Sequence, residues 1–204
     1  MRPSSGGRIA LVDTEHGSAS KYADKFDFDT LELHSFNPQN YIDAITAAEE
    51  AGYGVLVIDS LSHAWAGKDG ALELVDRAAR KMTGGNSYVA WKDITPLQNA
   101  MIDKILGANL HVIATMRSKT EYAQEKDERG RTIIRKVGVE PVQRAQVEYE
   151  FDIVGVMDLS NTLLIEKSRM AELSGQVIEK PGGRLASQIE AWLSAGAERP
   201  FGPG

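Results

Sequence analysis

With 204 residues, of which 42% are hydrophobic and 25% charged, the chain is long and apolar enough for one substantial core, which excludes a disordered or fibrous protein. A net charge of −6 argues against nucleic-acid binding by the surface as a whole, and the absence of cysteine excludes disulfides, thiolate catalysis and cysteine-ligated zinc. Residues 1–7 lack the apolar stretch of a signal peptide and no run approaches the roughly 18 apolar residues of a membrane span, so the expectation is a cytoplasmic chain with no membrane partner.

In chain order, Arg8 to Val12 reads as a short strand, Thr30 to Leu33 as a second and Gly54 to Asp59 as a third, with a helix from Pro38 to Ala51 carrying Tyr41, Ile42, Ile45 and Ala48 at helical spacing. A long helix from Ser87 to Leu106 places Leu97, Met101, Ile102, Ile105 and Leu106 on one side, with Pro96 as a point of kinking or division, and leads into a strand over His111 to Thr115. Strands alternating with helices predict a mainly parallel twisted sheet flanked by helices. The mixed charge around Gly130 predicts a protruding hairpin or loop between Arg117 and Lys136. Phe151 to Met157 and Thr162 to Glu166 follow as antiparallel strands, and a helix from Leu185 to Leu193 closes the domain. Residues 8–195 are thus expected to form one domain, with 1–7 and 196–204 as frayed ends.

In a parallel sheet, ligands gather beyond the carboxyl ends of the strands. Val55-Leu56-Val57-Ile58-Asp59-Ser60 is an apolar strand ending in a carboxylate, which can hold magnesium through water with Ser60 as a further hydroxyl, or can simply cap the segment that follows. The strand Arg8 to Val12 likewise runs into Asp13, Thr14 and Glu15, and Glu15 could orient and deprotonate an attacking water. The phosphate-wrapping run Gly-x-x-x-x-Gly-Lys-Ser/Thr occurs nowhere, and Ala66-Gly67-Lys68-Asp69-Gly70 lacks the preceding glycine-rich turn. His16, His34, His63 and His111 have no metal-ligand spacing and read as structural.

The segments from Leu11 to Ala19, from Val57 to Trp65 and from His111 to Tyr122, together with Lys167-Ser168-Arg169, resemble the RecA-like P-loop ATPases. The closest likeness is to the phage-encoded recombination ATPases called Sak-type single-strand annealing proteins, here without their Walker A loop, which in the family precedes the strand matching Arg8 to Val12. The resemblance implies a RecA-like core, ATP and Mg2+ as cofactors, Glu15 as the catalytic glutamate and Asp59 as the Walker B acid. It places Thr115 and Arg117 where the γ-phosphate is sensed, with Asp13 and Ser60 also at the nucleotide. It implies that Lys167 and Arg169 reach from one subunit into the ATP site of the next in a ring or filament.

Seven basic residues stand against four acidic ones between Arg117 and Lys136, so this segment is +3 in a chain that is otherwise −9. In RecA-like proteins the matching loop contacts single-stranded DNA, which makes Lys119, Tyr122, Lys126, Arg129, Arg131, Arg135 and Lys136 candidates for that contact. The alternative is a solvated hairpin with salt bridges of its own. Phage recombination or single-strand-binding proteins are further expected partners. Two other readings stand beside the ATPase: an inactive RecA-like DNA-binding or scaffold protein, and a fragment of a longer ATPase.

Overall fold

The computed structural model describes residues 7–82, 85–126 and 132–195, with the side chains of 120–139 outside that description. Of the segments expected to fray, 1–7 and 196–204, all but Gly7 lie outside the described residues. The chain divides into two compact units, residues 1–145 and 146–204.

The first unit contains β1 (Ile9–Asp13), β2 (Asp29–Glu32), α1 (Pro38–Glu50), β3 (Val55–Asp59), α2 (His63–Ala66), α3 (Ala71–Lys81), α4 (Ser87–Leu106), β4 (His111–Ala114), β5 (Ser118–Lys126) and β6 (Thr132–Pro141). Four strands form an all-parallel sheet in the order β2-β1-β3-β4. The register pairs Asp13 with Asp59 and Ile58 with Ala114, so the strands finish at one common edge. β3 is central because Leu56 and Ile58 are fully buried, as apolar side chains on one face of a pleated strand must be.

Local chemistry sets the helices. Asn37 caps α1 by accepting from the Gln39 N–H, and Pro38 fits the first turn, where no N–H is required. Tyr41, Ala44, Ile45 and Ala48 form its buried face. Asn86 caps α4 by accepting from the N–H groups of Tyr88 and Val89. α4 stays one helix through Pro96, because its cap fixes one end and its buried face, Ala90, Gln98, Met101, Ile102 and Ile105, holds both halves. Leu106, expected on that face, is instead exposed, and Gln98 is buried. α3 went unpredicted because its face is built of small residues, with Val75 and Ala79 packed on Ala90 of α4. The expected charged loop is a hairpin in which β5 and β6 pair from Ser118–Pro141 to Lys126–Thr132, with one irregularity at Glu121 and Tyr122.

The second unit is a three-stranded antiparallel sheet, β7 (Ile153–Met157), β8 (Thr162–Ser168) and β9 (Val177–Glu179), with α5 (Gly183–Ala195). Its core is Ile165, Met170 and Leu173, against which Ile153, Leu163, Ile178, Leu185, Ile189 and Trp192 pack. Among the described residues no helix is long and apolar enough to cross a membrane.

Ile58→Ala removes a side chain with no exposed surface from the central strand, so the urea midpoint is expected to fall by the equivalent of about 3 kcal/mol. A second outcome concerns pH. Glu49 accepts from Lys104 Nζ at 2.5 Å and from the Asn109 N–H at 2.6 Å, and these contacts, Lys104 first, hold its carboxyl below the ordinary carboxylate range. A depressed folded-state value stabilises the fold at neutral pH, and that contribution is lost as pH falls from the ordinary value through the depressed one. Glu49→Gln is therefore expected to be less stable than the parent at pH 7 and to converge on it in acid, as read from urea melts across pH.

Candidate functional site

The ends of β1, β3 and β4 present three loops side by side, and backbone hydrogen bonds stitch them together. The Thr14 N–H donates to Asp59 O at 2.8 Å, Thr115 N–H to Ile58 O at 3.0 Å, and Leu61 N–H to Thr115 O at 2.9 Å. Thr14 is fully buried, and its hydroxyl accepts the Ser60 N–H at 2.7 Å while lying 2.7 Å from His63 Nδ1 and 3.0 Å from Asp59 O. Asp13 is buried behind this edge, where one oxygen accepts the Glu15 N–H at 2.6 Å and the other the Ala19 N–H at 2.9 Å. Its carboxylate therefore shapes the turn through His16 and Gly17, both of which have positive φ.

Asp59 and Glu15 stand differently. Asp59 is half-buried, and its Oδ1 accepts the Thr115 hydroxyl at 2.6 Å. Among the described residues its Oδ2 has no partner, which leaves one oxygen for a metal-bound water. No group of three or more His, Asp or Glu side chains poised to ligate a metal occurs among the described residues. A single carboxylate acting through water fits magnesium, which keeps most of its waters and shares phosphate oxygens.

Glu15 is gripped by Arg117, whose Nη2 lies 2.8 Å from Oε1 and 2.5 Å from Oε2, with Nε at 3.2 Å from Oε1. The Ser60 hydroxyl lies 3.5 Å from the same Oε1. Because the Arg117 side chain is 57% exposed, such a pair is worth only about 0–1 kcal/mol, little enough for a competing anion to take the guanidinium. Arg117 is also fixed at its backbone, where its N–H donates to Ser62 Oγ at 2.9 Å.

His63 completes the edge. It stacks on Phe36 with ring centroids 4.7 Å apart, an approach that Gly67 allows, since a Cβ there would fall 2.6 Å from the Phe36 ring. Its Nδ1 lies 3.9 Å from Glu15 Oε1. Burial pushes its imidazole below the ordinary histidine value; Arg117 and His16 push the same way, while Glu15 and Asp59 oppose them.

The structure thus brings Glu15, Asp59, Ser60, Thr115 and Arg117 to one edge, with Asp13 directly beneath. Lys167 and Arg169 belong to the second unit, where Lys167 Nζ donates to the carbonyls of Tyr149 and Phe151, and Arg169 pairs with Asp152 at 3.0 Å. In the hairpin, Lys119 pairs with Glu140 at 3.2 Å. The side chains of Tyr122, Lys126, Arg135 and Lys136, and the whole of Arg129 and Arg131, lie outside the described residues. Sequence reasoning missed Thr14 and passed over His63 as structural. The Asp-Thr-Glu run after β1 held a signal for Thr14, but His63 is fixed by the Thr14 hydroxyl and the Phe36 ring, contacts that no local pattern announces.

A parallel sheet with carboxylates, hydroxyls and a guanidinium at its carboxyl edge is consistent with the P-loop NTPase class of α/β domains. Residues 3–184 match the family model of an AAA domain, and the chain belongs to that family. A search of curated proteins returns no match.

His63 is expected to titrate below the ordinary histidine value in an NMR pH series. Replacing Arg117 by alanine removes a cation that lowers it and leaves Glu15 unshared, so the midpoint is expected to move up.

Proposed function

We propose that this AAA domain serves a RecA-like ATPase of phage DNA recombination or single-strand annealing, working as a homo-oligomeric ring or filament. The observation that carries the reading is the meeting of Asp59 with Thr115 and of Glu15 with Arg117 at the ends of three adjacent parallel strands. Residues of this kind at this edge are what phosphoryl transfer needs: there is little covalent chemistry to perform, so positioning and charge placement dominate.

Magnesium, when bound, neutralises phosphate charge. Asp59 would hold the ion through water, with the Thr115 hydroxyl fixing the rotation of the carboxylate. Glu15 takes the proton of the attacking water, and it becomes free to do so when Arg117 leaves it for a phosphate oxygen. Ser60 keeps Glu15 in position during the exchange. Lys167 and Arg169 serve the neighbouring subunit's site, which makes hydrolysis depend on assembly. The hairpin from Lys119 to Lys136, including Tyr122, Lys126, Arg129, Arg131 and Arg135, takes single-stranded DNA along its backbone, in company with phage recombination or single-strand-binding proteins.

A second reading, a DNA-binding or scaffold protein that works without nucleotide, draws on the same ion pair, since Glu15 is already satisfied by Arg117 without any phosphate. Titration with magnesium-ATP separates the two: single-strand binding without any nucleotide response establishes the scaffold.

Glu15→Gln is expected to lower turnover by about a hundredfold or more while leaving magnesium-ATP affinity within a few-fold, measured by calorimetry and phosphate release. A fully active variant would remove Glu15 from the chemistry. Deleting 121–135 is expected to weaken single-stranded DNA binding at low salt, whereas unchanged affinity would leave the hairpin a solvated ribbon.

A further inference from the structure

The first unit has a pocket of about 240 Å³ lined by Trp65, Trp91, Thr95, Gln98 and Arg144. Trp91, Thr95 and Gln98 follow one another at helical spacing along a single face of α4. Trp65 comes from α2 and stacks on Trp91, with centroids 5.4 Å apart and planes 25° from parallel. Pockets that enclose drug-sized ligands run to roughly 300–1,000 Å³, so this one suits a single ring system.

Its inner wall carries an unusual group. Gln98 is 1% exposed, and its Oε1 is buried without a hydrogen-bond partner. The neighbouring bonds determine which end of the amide is which. Gln143 donates from Nε2 to Leu61 O at 2.9 Å, and its Oε1 accepts the Arg144 N–H at 2.8 Å. Gln98 must therefore offer nitrogen to Gln143 Oε1, at 3.0 Å, and its oxygen is the end left over. Buried acceptors in folded proteins nearly always have partners, and an orphan calls for an explanation. That oxygen has essentially no accessible surface and is out of a ligand's reach, so what the pocket offers is the face of the stacked indoles. Arg144, whose guanidinium reaches Asn99, brings positive charge to the same pocket.

We infer that this pocket is a subsite for an unpaired nucleobase, stacked against the Trp65–Trp91 pair with its phosphate beside Arg144. Every base has a π-face, so the subsite is tolerant of sequence, and the Arg144 cation suits the phosphate of the same nucleotide. The chain Gln98–Gln143–Leu61 ties the subsite to the loop that follows Asp59. Occupancy can be read without ATP or magnesium, so the inference stands apart from the hydrolytic reading and can fail separately from it.

The test uses the full chain in a Trp192→Phe background, in which the two pocket indoles are the only tryptophans. Titration with short oligo(dC) is expected to quench their fluorescence, and an abasic strand of equal length is expected to leave it unchanged. Thr95→Phe fills the pocket from the helix face and is expected to raise the apparent Kd by about tenfold, the scale of one base stack. Quenching by cytidine or adenosine alone would assign the pocket to free nucleosides and nucleotides, and quenching by strands alone would assign it to single-stranded nucleic acid; both carry the same base chemistry. Equal quenching by the abasic strand overturns the inference, as does a folded Thr95→Phe variant that binds oligo(dC) like the parent. The abasic comparison needs no substitution in the pocket and decides the matter even if Thr95→Phe does not fold.

Discussion

The carboxyl edge depends on the hydroxyl of one buried threonine. Thr14 joins the end of β1 to the start of the loop after β3 through its own N–H and through the Ser60 N–H that its oxygen accepts, and the same oxygen meets the His63 ring. Buried backbone groups at the end of a parallel sheet must be paired by something, and here one side chain and one amide pair those of two strands. Valine would match the shape and leave the Ser60 N–H buried and unsatisfied, a loss of about 1–3 kcal/mol concentrated at the point where Asp59 is aimed. The separation of Glu15 from Asp59 follows from that join.

Three carbonyl-bearing loops at one edge would repel anions unless cations and N–H groups faced outward. Arg117 does this while also holding Glu15, so one of the three carboxylates at the edge is paired with a cation as it stands. The arrangement is weakly bound by design of its exposure: a guanidinium more than half in solvent exchanges partners at small cost, whereas Asp13, with two backbone donors and no access to water, cannot. Two carboxylates two residues apart thus differ in role because of burial, not because of chemistry.

Much of this was legible in the residues. Three of the four parallel strands were readable because each is a short apolar run bounded by polar turns, whereas β2 is exposed along its length, and α4 was placed from Ser87 to Leu106 by its periodicity. Asp59 and Glu15 were visible as acids at strand ends. What stayed hidden was what long-range pairing creates. α3 hides its core face in alanines, Gln98 looks like a surface residue until Gln143 arrives from 45 positions away, and Arg117 meets Glu15 across 102 positions. Periodicity reports which face of an element is apolar; it carries no information about which polar group will close a network.

The hairpin is rooted in the same residue that holds Glu15. β5 begins one step after Arg117, and the strand leaving β6 returns to it, with the Val142 N–H donating to the Arg117 carbonyl at 2.7 Å. A ribbon of nine paired residues extends roughly 30 Å. Such a ribbon is a lever whose short arm is a guanidinium. A sweep of several ångströms at the far end shrinks to a fraction of an ångström at the root, which is the margin between a hydrogen bond that is made and one that is lost.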